Sequence, residues 1–215
     1  MNDLKELLNK HQNIIITTHV NPDGDAIGSS LALKNFLDKL GHDINIIVPN
    51  DYPEFLKWMK NSNSIINFSS SKDLTEKLIA DSDIIFCLDF NNLSRINDLG
   101  VLISNSSSKK ILIDHHLDPE DFYDLKIHDV KASATAELIY DLLFELDSSL
   151  IDKDISDCIY TGILTDTGSF KFSSTSSKVH RIVADLIDRG VDISNISNKI
   201  YDTNSLDKLK LIGYS

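Results

Sequence analysis

The chain has 215 residues, with 21 Lys plus Arg against 33 Asp plus Glu, for a formal charge of −12. That length allows one large domain with a substantial core. A hydrophobic fraction of 41% and a charged fraction of 25% exclude collagenous or disordered compositions. The acidic balance argues against long-duplex binding, which draws its affinity from Lys and Arg on phosphates. It leaves small phosphorylated substrates open, because bound divalent cations reverse the local sign of a site.

In chain order, Ile14-Ile15-Ile16-Thr17-Thr18 reads as a short buried parallel strand ending at His19. After Asn21-Pro22-Asp23-Gly24, an amphipathic helix carries Leu33, Phe36, Leu37 and Leu40 and stops at Gly41. Ile44–Val48 is the next strand, so the unit is strand-helix-strand with a parallel pair. A short helical stretch is expected around Phe55–Met59 and a helix over Asp73–Ala80, followed by strands at Asp83–Leu88 and Lys110–Ile113. The serine-rich segment 104–108 separates those two strands, and Leu125–His128 adds an edge strand.

From Ser133 the apolar period becomes helical. One stripe holds Ala136, Ile139, Tyr140, Leu143 and Leu146; a second holds Ile155, Ile159, Gly162 and Ile163. Val179, Ile182, Val183, Leu186 and Ile187 form a third, stopped by Gly190, and a last short pattern covers Leu206–Ile212. The fold class is therefore α/β, a mostly parallel sheet with helices on both faces. Cys87 and Cys158 fall in apolar patterns without a C-x-x-C pair and read as buried thiols of a reducing compartment. No apolar run approaches the ~18 residues of a membrane span. A cytoplasmic protein without membrane contact is expected.

Ligands of open parallel sheets bind outside the carboxyl ends of the strands. His19, Asp23 and Asp25 follow the first strand, Asp89 ends the third and Asp114-His115-His116 follow the fourth. Each has a plainer reading. Asp23-Gly24-Asp25 is a turn plus helix cap, Asp89 a solvated loop start, and His115-His116 a structural pair. Asp166, in Thr165-Asp166-Thr167-Gly168, is a helix-end cap. Their coincidence on one rim favours a site.

Taken in order, His19-Val20-Asn21-Pro22-Asp23-Gly24-Asp25, Asp89, Asp114-His115-His116 and Gly162–Gly168 resemble the four motifs of the DHH family of phosphoesterases. The stretches Ser133–Tyr140 and Phe170 through Arg181 are similar to its branch of oligoribonucleases that also act on 3′-phosphoadenosine 5′-phosphate. The resemblance implies two divalent ions, manganese foremost, one held by His19, Asp23 and Asp89 and the other by Asp25, Asp89, His115 and Asp166. Asp89 would bridge them, His116 would touch the phosphoryl or leaving group, and Asp114 would orient an imidazole. Arg95 is a candidate phosphate clamp, with a surface ion pair as the equal alternative.

Hydrolysis of short oligoribonucleotides or phosphoadenosine phosphate is the activity implied. Exopolyphosphatases, cyclic dinucleotide phosphodiesterases and inorganic pyrophosphatases share the metal motifs. A non-catalytic nucleotide-binding module is the reading outside enzymes. Residues 1–190 are expected to be the catalytic domain and 191–215 a helical segment resembling the interdomain linker. The family's C-terminal substrate-binding domain is expected to lie outside these 215 residues, and a homodimer is left open. His180 is expected to face solvent, and Trp58, Tyr52 and Phe55 to pack rather than stack bases.

Overall fold

The structure, a computed structural model, describes residues 2–202. The helical pattern at Leu206–Ile212 lies outside the described residues. Strands β1 (Asn13–Thr18), β2 (Asp43–Val48), β3 (Ile66–Asn67), β4 (Ile84–Leu88), β5 (Lys109–Asp114) and β6 (Leu125–His128) form one sheet in the order β3-β2-β1-β4-β5-β6. Every pairing is parallel, with Ile14 opposite both Ile44 and Ile84, and Phe86 opposite Ile16 and Ile111. The order reverses between β1 and β4. That crevice is where an open parallel sheet places its ligand.

Alternation along each strand divides the core in two. Ile14, Ile16, Ile46, Phe86 and Ile113 face the larger layer. There lie α2 (Gly24–Lys39), α5 (Thr135–Asp147), α6 (Lys153–Asp166), α7 (Ser177–Asp188) and α8 (Ile193–Tyr201), with α1 (Asn2–Leu8) inserting Leu4. Ile15, Ile47, Ile85, Cys87 and Leu112 face α3 (Lys72–Ala80) and α4 (Asp98–Asn105). Helices therefore cover both faces, as the near-continuous apolar strands require. Ile196 and Ile200 place α8 on the same core as the sheet.

Three elements were not anticipated: the short α1, β3 and α4. β3 has only two residues, too few for a period. α4 begins at Asp98 and runs into the serine-rich segment, which reads as loop; its apolar Leu99 and Ile103 lie one turn apart and dock it on the sheet. The stretch near Phe55 is a 3-10 turn over Glu54–Leu56. Trp58 packs at the core's edge with the Lys199 ammonium 4.2 Å from its ring centroid, and the Tyr52 hydroxyl donates to the Ser62 carbonyl. Both cysteines are free and buried, and burial pushes the Cys87 thiol up to about 12. Among the described residues no helix is long and apolar enough to cross a membrane.

Candidate metal centre

His19 leaves the C-terminal end of β1 with 7% exposure. Its Nδ1 lies 2.9 Å from the Val20 carbonyl, which as acceptor fixes the proton there and turns the Nε2 lone pair inward. That Nε2 is 3.5 Å from Asp89 and 4.0 Å from Asp23. His115 is held in the same way: Nδ1 is 3.1 Å from the Ala132 carbonyl, while Nε2 is 3.6 Å from Asp89 and 3.5 Å from Asp166.

Asp23 carries both readings at once. Its Oδ1 caps α2 by accepting the Asp25 and Ala26 amides, each at 3.0 Å, while the carboxylate faces His19. Asp25 is 1% exposed and lies on the first turn of α2. It accepts the amides of Thr135 at 2.6 Å and Ala136 at 2.8 Å and the Ser29 hydroxyl at 3.1 Å. Helix α5 starts from Ala134, which has no capping side chain, so Asp25 caps it from another element.

Asp89 follows β4 in the left-handed region at φ 64°, which bends its buried carboxylate toward both imidazoles; the Thr135 hydroxyl donates to it at 2.8 Å. Asp166 is the last residue of α6, where the helix dipole disfavours a negative charge. Capping is thus a poor explanation for it.

The electrostatics match this crowding. Burial, then repulsion from Asp89 and Asp166, raises the Asp25 carboxyl well above its ordinary range. Burial, with repulsion from Asp89 and Asp23 against the pull of His115, raises Asp166 to about 6. Asp89 goes the other way: burial pushes it up, but His19, His115 and the Thr135 hydroxyl hold it down. Four carboxylates, Asp25 and Asp89 buried and Asp23 and Asp166 partly open to water, have been gathered around histidine Nε2 atoms. This donor set fits a hard or borderline divalent cation.

Three groups have ligand atoms within 4.8 Å of one another: His19 with Asp23 and Asp89; Asp25 with His115 and Asp166; and Asp89 with His115 and His116. Ligands about 2.0–2.2 Å from a common ion lie roughly 3–4 Å apart. The contacts of 3.5–4.0 Å recorded here have that spacing. Asp89 belongs to two of the groups.

His116 stands apart from the other two imidazoles. Its Nδ1 donates to the fully buried Asp114 at 2.7 Å, leaving Nε2 free. That hydrogen bond is the main cause of its raised pKa; burial and the nearby Arg95 charge oppose it. Arg95 is exposed, and no ion pair to it occurs among the described residues. The guanidinium lies near enough to His116 to influence it. His180 is exposed, its ring 5.8 Å from Phe170 and outside this cluster.

Sequence patterning does not single out Thr135, Ser29 or His128, whose Nε2 donates to the His116 carbonyl at 2.6 Å. Close helix contact is equally silent in the sequence. A Cβ at Gly28 would stand 2.5 Å from the Cys158 carbonyl oxygen, and one at Gly162 would stand 2.6 Å from the Ala136 Cβ and 2.8 Å from Asp25 Oδ1. These glycines let α2, α5 and α6 approach until Asp25 and Asp166 share one pocket.

Residues 13–163 match the model of the DHH family, N-terminal domain, and Asp166 falls just beyond that segment. The bifunctional oligoribonuclease and PAP phosphatase NrnA of Thermus thermophilus is 35% identical over 87% of this chain and 53% of its own length. The Bacillus subtilis protein of the same name is 29% identical over 99% of this chain and 64% of its own. The chain thus spans between half and two thirds of these relatives. Among solved structures, an exopolyphosphatase-related protein of Bacteroides fragilis superposes with a TM-score of 0.96 at 42% identity, covering 99% of this chain and 63% of that one. With a family model matching residues 13–163, most of its length, the chain belongs to the DHH family through its N-terminal domain.

Proposed function

We propose that this chain forms the catalytic part of a divalent-metal-dependent phosphoesterase that hydrolyses short oligoribonucleotides, 3′-phosphoadenosine 5′-phosphate or both. The observation that carries the reading is the convergence of His19, Asp23, Asp25, Asp89, His115 and Asp166 at the switch between β1 and β4, with both imidazoles presenting Nε2. In this reading His19, Asp23 and Asp89 hold one ion, and Asp25, Asp89, His115 and Asp166 hold a second. Ions in such a site supply Lewis acidity and charge neutralisation for attack of water on phosphorus. The two imidazoles favour manganese over magnesium.

The protein's own groups account for the rest. His116, held by Asp114, keeps a proton available at Nε2 for the leaving oxygen. Arg95, exposed and without a carboxylate partner among the described residues, grips a non-reacting phosphate oxygen. Residues 1–190 form the catalytic domain, with Val191, Ile196 and Ile200 packing the following segment on the same core. The net charge of −12 supports small substrates over long duplexes. Two buried thiols fit a reducing, cytoplasmic setting.

The names of the curated relatives support the nucleotide substrates. The Bacteroides fragilis likeness supports polyphosphate as a second candidate. The test is a substrate screen with dinucleotides, phosphoadenosine phosphate and polyphosphate, in manganese and after chelation. Turnover of a nucleotide substrate that disappears with chelation is expected; undiminished hydrolysis after chelation refutes the reading, and turnover of polyphosphate alone transfers it to the second candidate.

A further inference from the structure

Thr135 joins the two halves of the acidic cluster through different atoms of one residue. It is fully buried, its amide donates to Asp25 Oδ2 at 2.6 Å and its hydroxyl to Asp89 Oδ1 at 2.8 Å. The next amide, Ala136, donates to Asp25 Oδ1 at 2.8 Å. Three donors from the first turn of α5 are thus spent on carboxylates that arrive from α2 and from the end of β4. They point along the positive end of a thirteen-residue helix whose own N-cap is alanine.

We infer that Thr135 is a positioning residue for the metal centre, its hydroxyl fixing the rotamer of Asp89 while its amide fixes Asp25. A carboxylate in the left-handed backbone position of Asp89 is free to turn about two side-chain bonds. The 2.8 Å hydrogen bond commits Oδ1 as acceptor and leaves Oδ2, 3.5 Å from His19 Nε2, directed at the first group of donors. The hydroxyl also stabilises the ionised form that a cation requires. No contact with substrate is involved. The inference rests on the proposed metal chemistry, and its test separates the two.

The test is calorimetric titration with manganese, without substrate, of the wild type and of Thr135→Ser, Thr135→Val and Thr135→Ala, with circular dichroism melts of the metal-free proteins alongside. Thr135→Ser keeps the hydroxyl and loses the methyl; Thr135→Val keeps the shape and loses the hydroxyl. Loss of an outer hydrogen bond to a ligand weakens affinity by about 10–100-fold. That weakening is expected in Val and Ala but not in Ser, which should stay within about threefold of wild type. A wild type that binds no manganese removes the metal reading itself. A wild type that binds, with Val or Ala binding equally well, overturns only the role of Thr135. Affinity that follows the methyl, or a Ser variant that fails to fold, also overturns it, because the position then serves packing alone.

Discussion

Replacing Gly162 by alanine separates a close-approach requirement from ordinary helix energetics. In an exposed helix interior, Gly→Ala stabilises by roughly 0.8–1.0 kcal/mol, so the default sign is a gain. At Gly162 the new Cβ would stand 2.6 Å from the Ala136 Cβ and 2.8 Å from Asp25 Oδ1. Carbon contacts settle near 3.5–4.0 Å, so α6 has to retreat by about 1 Å or Asp25 has to turn. Neither neighbour is the loose end of a side chain. Ala136 lies in the first turn of α5, and Asp25 is held by two amides and Ser29. Overpacking of a close core costs about 1–3 kcal/mol. Set against the propensity gain of roughly 0.8–1.0 kcal/mol, the net loss is up to about 2 kcal/mol, which lowers the melting temperature by up to roughly 8 °C for a chain of this size.

Because α6 also carries Asp166, the same shift displaces a second donor. A 1 Å misplacement accounts for up to about 100-fold in rate. The assay pairs thermal melts with manganese titration and kcat/KM. Gly41→Ala is the control: open space surrounds it, but its φ of +85° makes alanine costly by about 1–2 kcal/mol. It should lower stability and leave metal affinity unchanged. A Gly162→Ala protein as stable as wild type with undiminished metal affinity would refute the packing argument.

Asp89→Asn should abolish high-affinity binding at both proposed ion sites, each of which is assigned Asp89, while preserving the fold, because asparagine tolerates the left-handed backbone; titration with near-native circular dichroism checks this, and wild-type affinity excludes Asp89 as the bridge. Burial opposes ionisation of Asp185, but the hydrogen bonds from Arg189 and Tyr140 outweigh it and hold the carboxyl below its ordinary value. A depressed folded pKa contributes stability above the unfolded value near ~3.9, lost as pH falls through the folded value. Urea melts should therefore show Asp185→Asn less stable than wild type at pH 6, with the gap closing toward pH 3; a constant gap contradicts the assignment. With turnover established, dinucleotides to pentanucleotides should outcompete long RNA at physiological salt, and equal kcat/KM across lengths would count against the charge argument.

The sequence made the strand-end donors readable because each sits where a β-branched or apolar run stops, and His19, Asp89 and Asp114–His116 occupy those stops in the structure. All four long strands and the helices α5, α6 and α7 follow from periodicity, whereas α8 does not. What stayed hidden depends on distance in space. Thr135 differs from any other helix-start threonine only because Asp25 and Asp89 arrive beside it. Gly28 and Gly162 read as helix glycines with a propensity penalty until α2 and α6 are laid together. Asp23 shows why weighing a cap against a ligand was undecidable: the same carboxylate caps α2 and faces His19.

The central place of β1 also shapes how the chain emerges during synthesis. Its first neighbour in sequence, β2, covers one side, but the other side belongs to β4, which begins at Ile84. At 5–20 residues per second, the interval between the end of β1 and the start of β4 is roughly 3–13 s. Throughout it Ile14-Ile15-Ile16 presents an unpaired apolar edge to any neighbouring chain. His19 and Asp89 stand on opposite sides of that gap in time, so the 3.5 Å contact between them marks the closing of the sheet rather than its beginning.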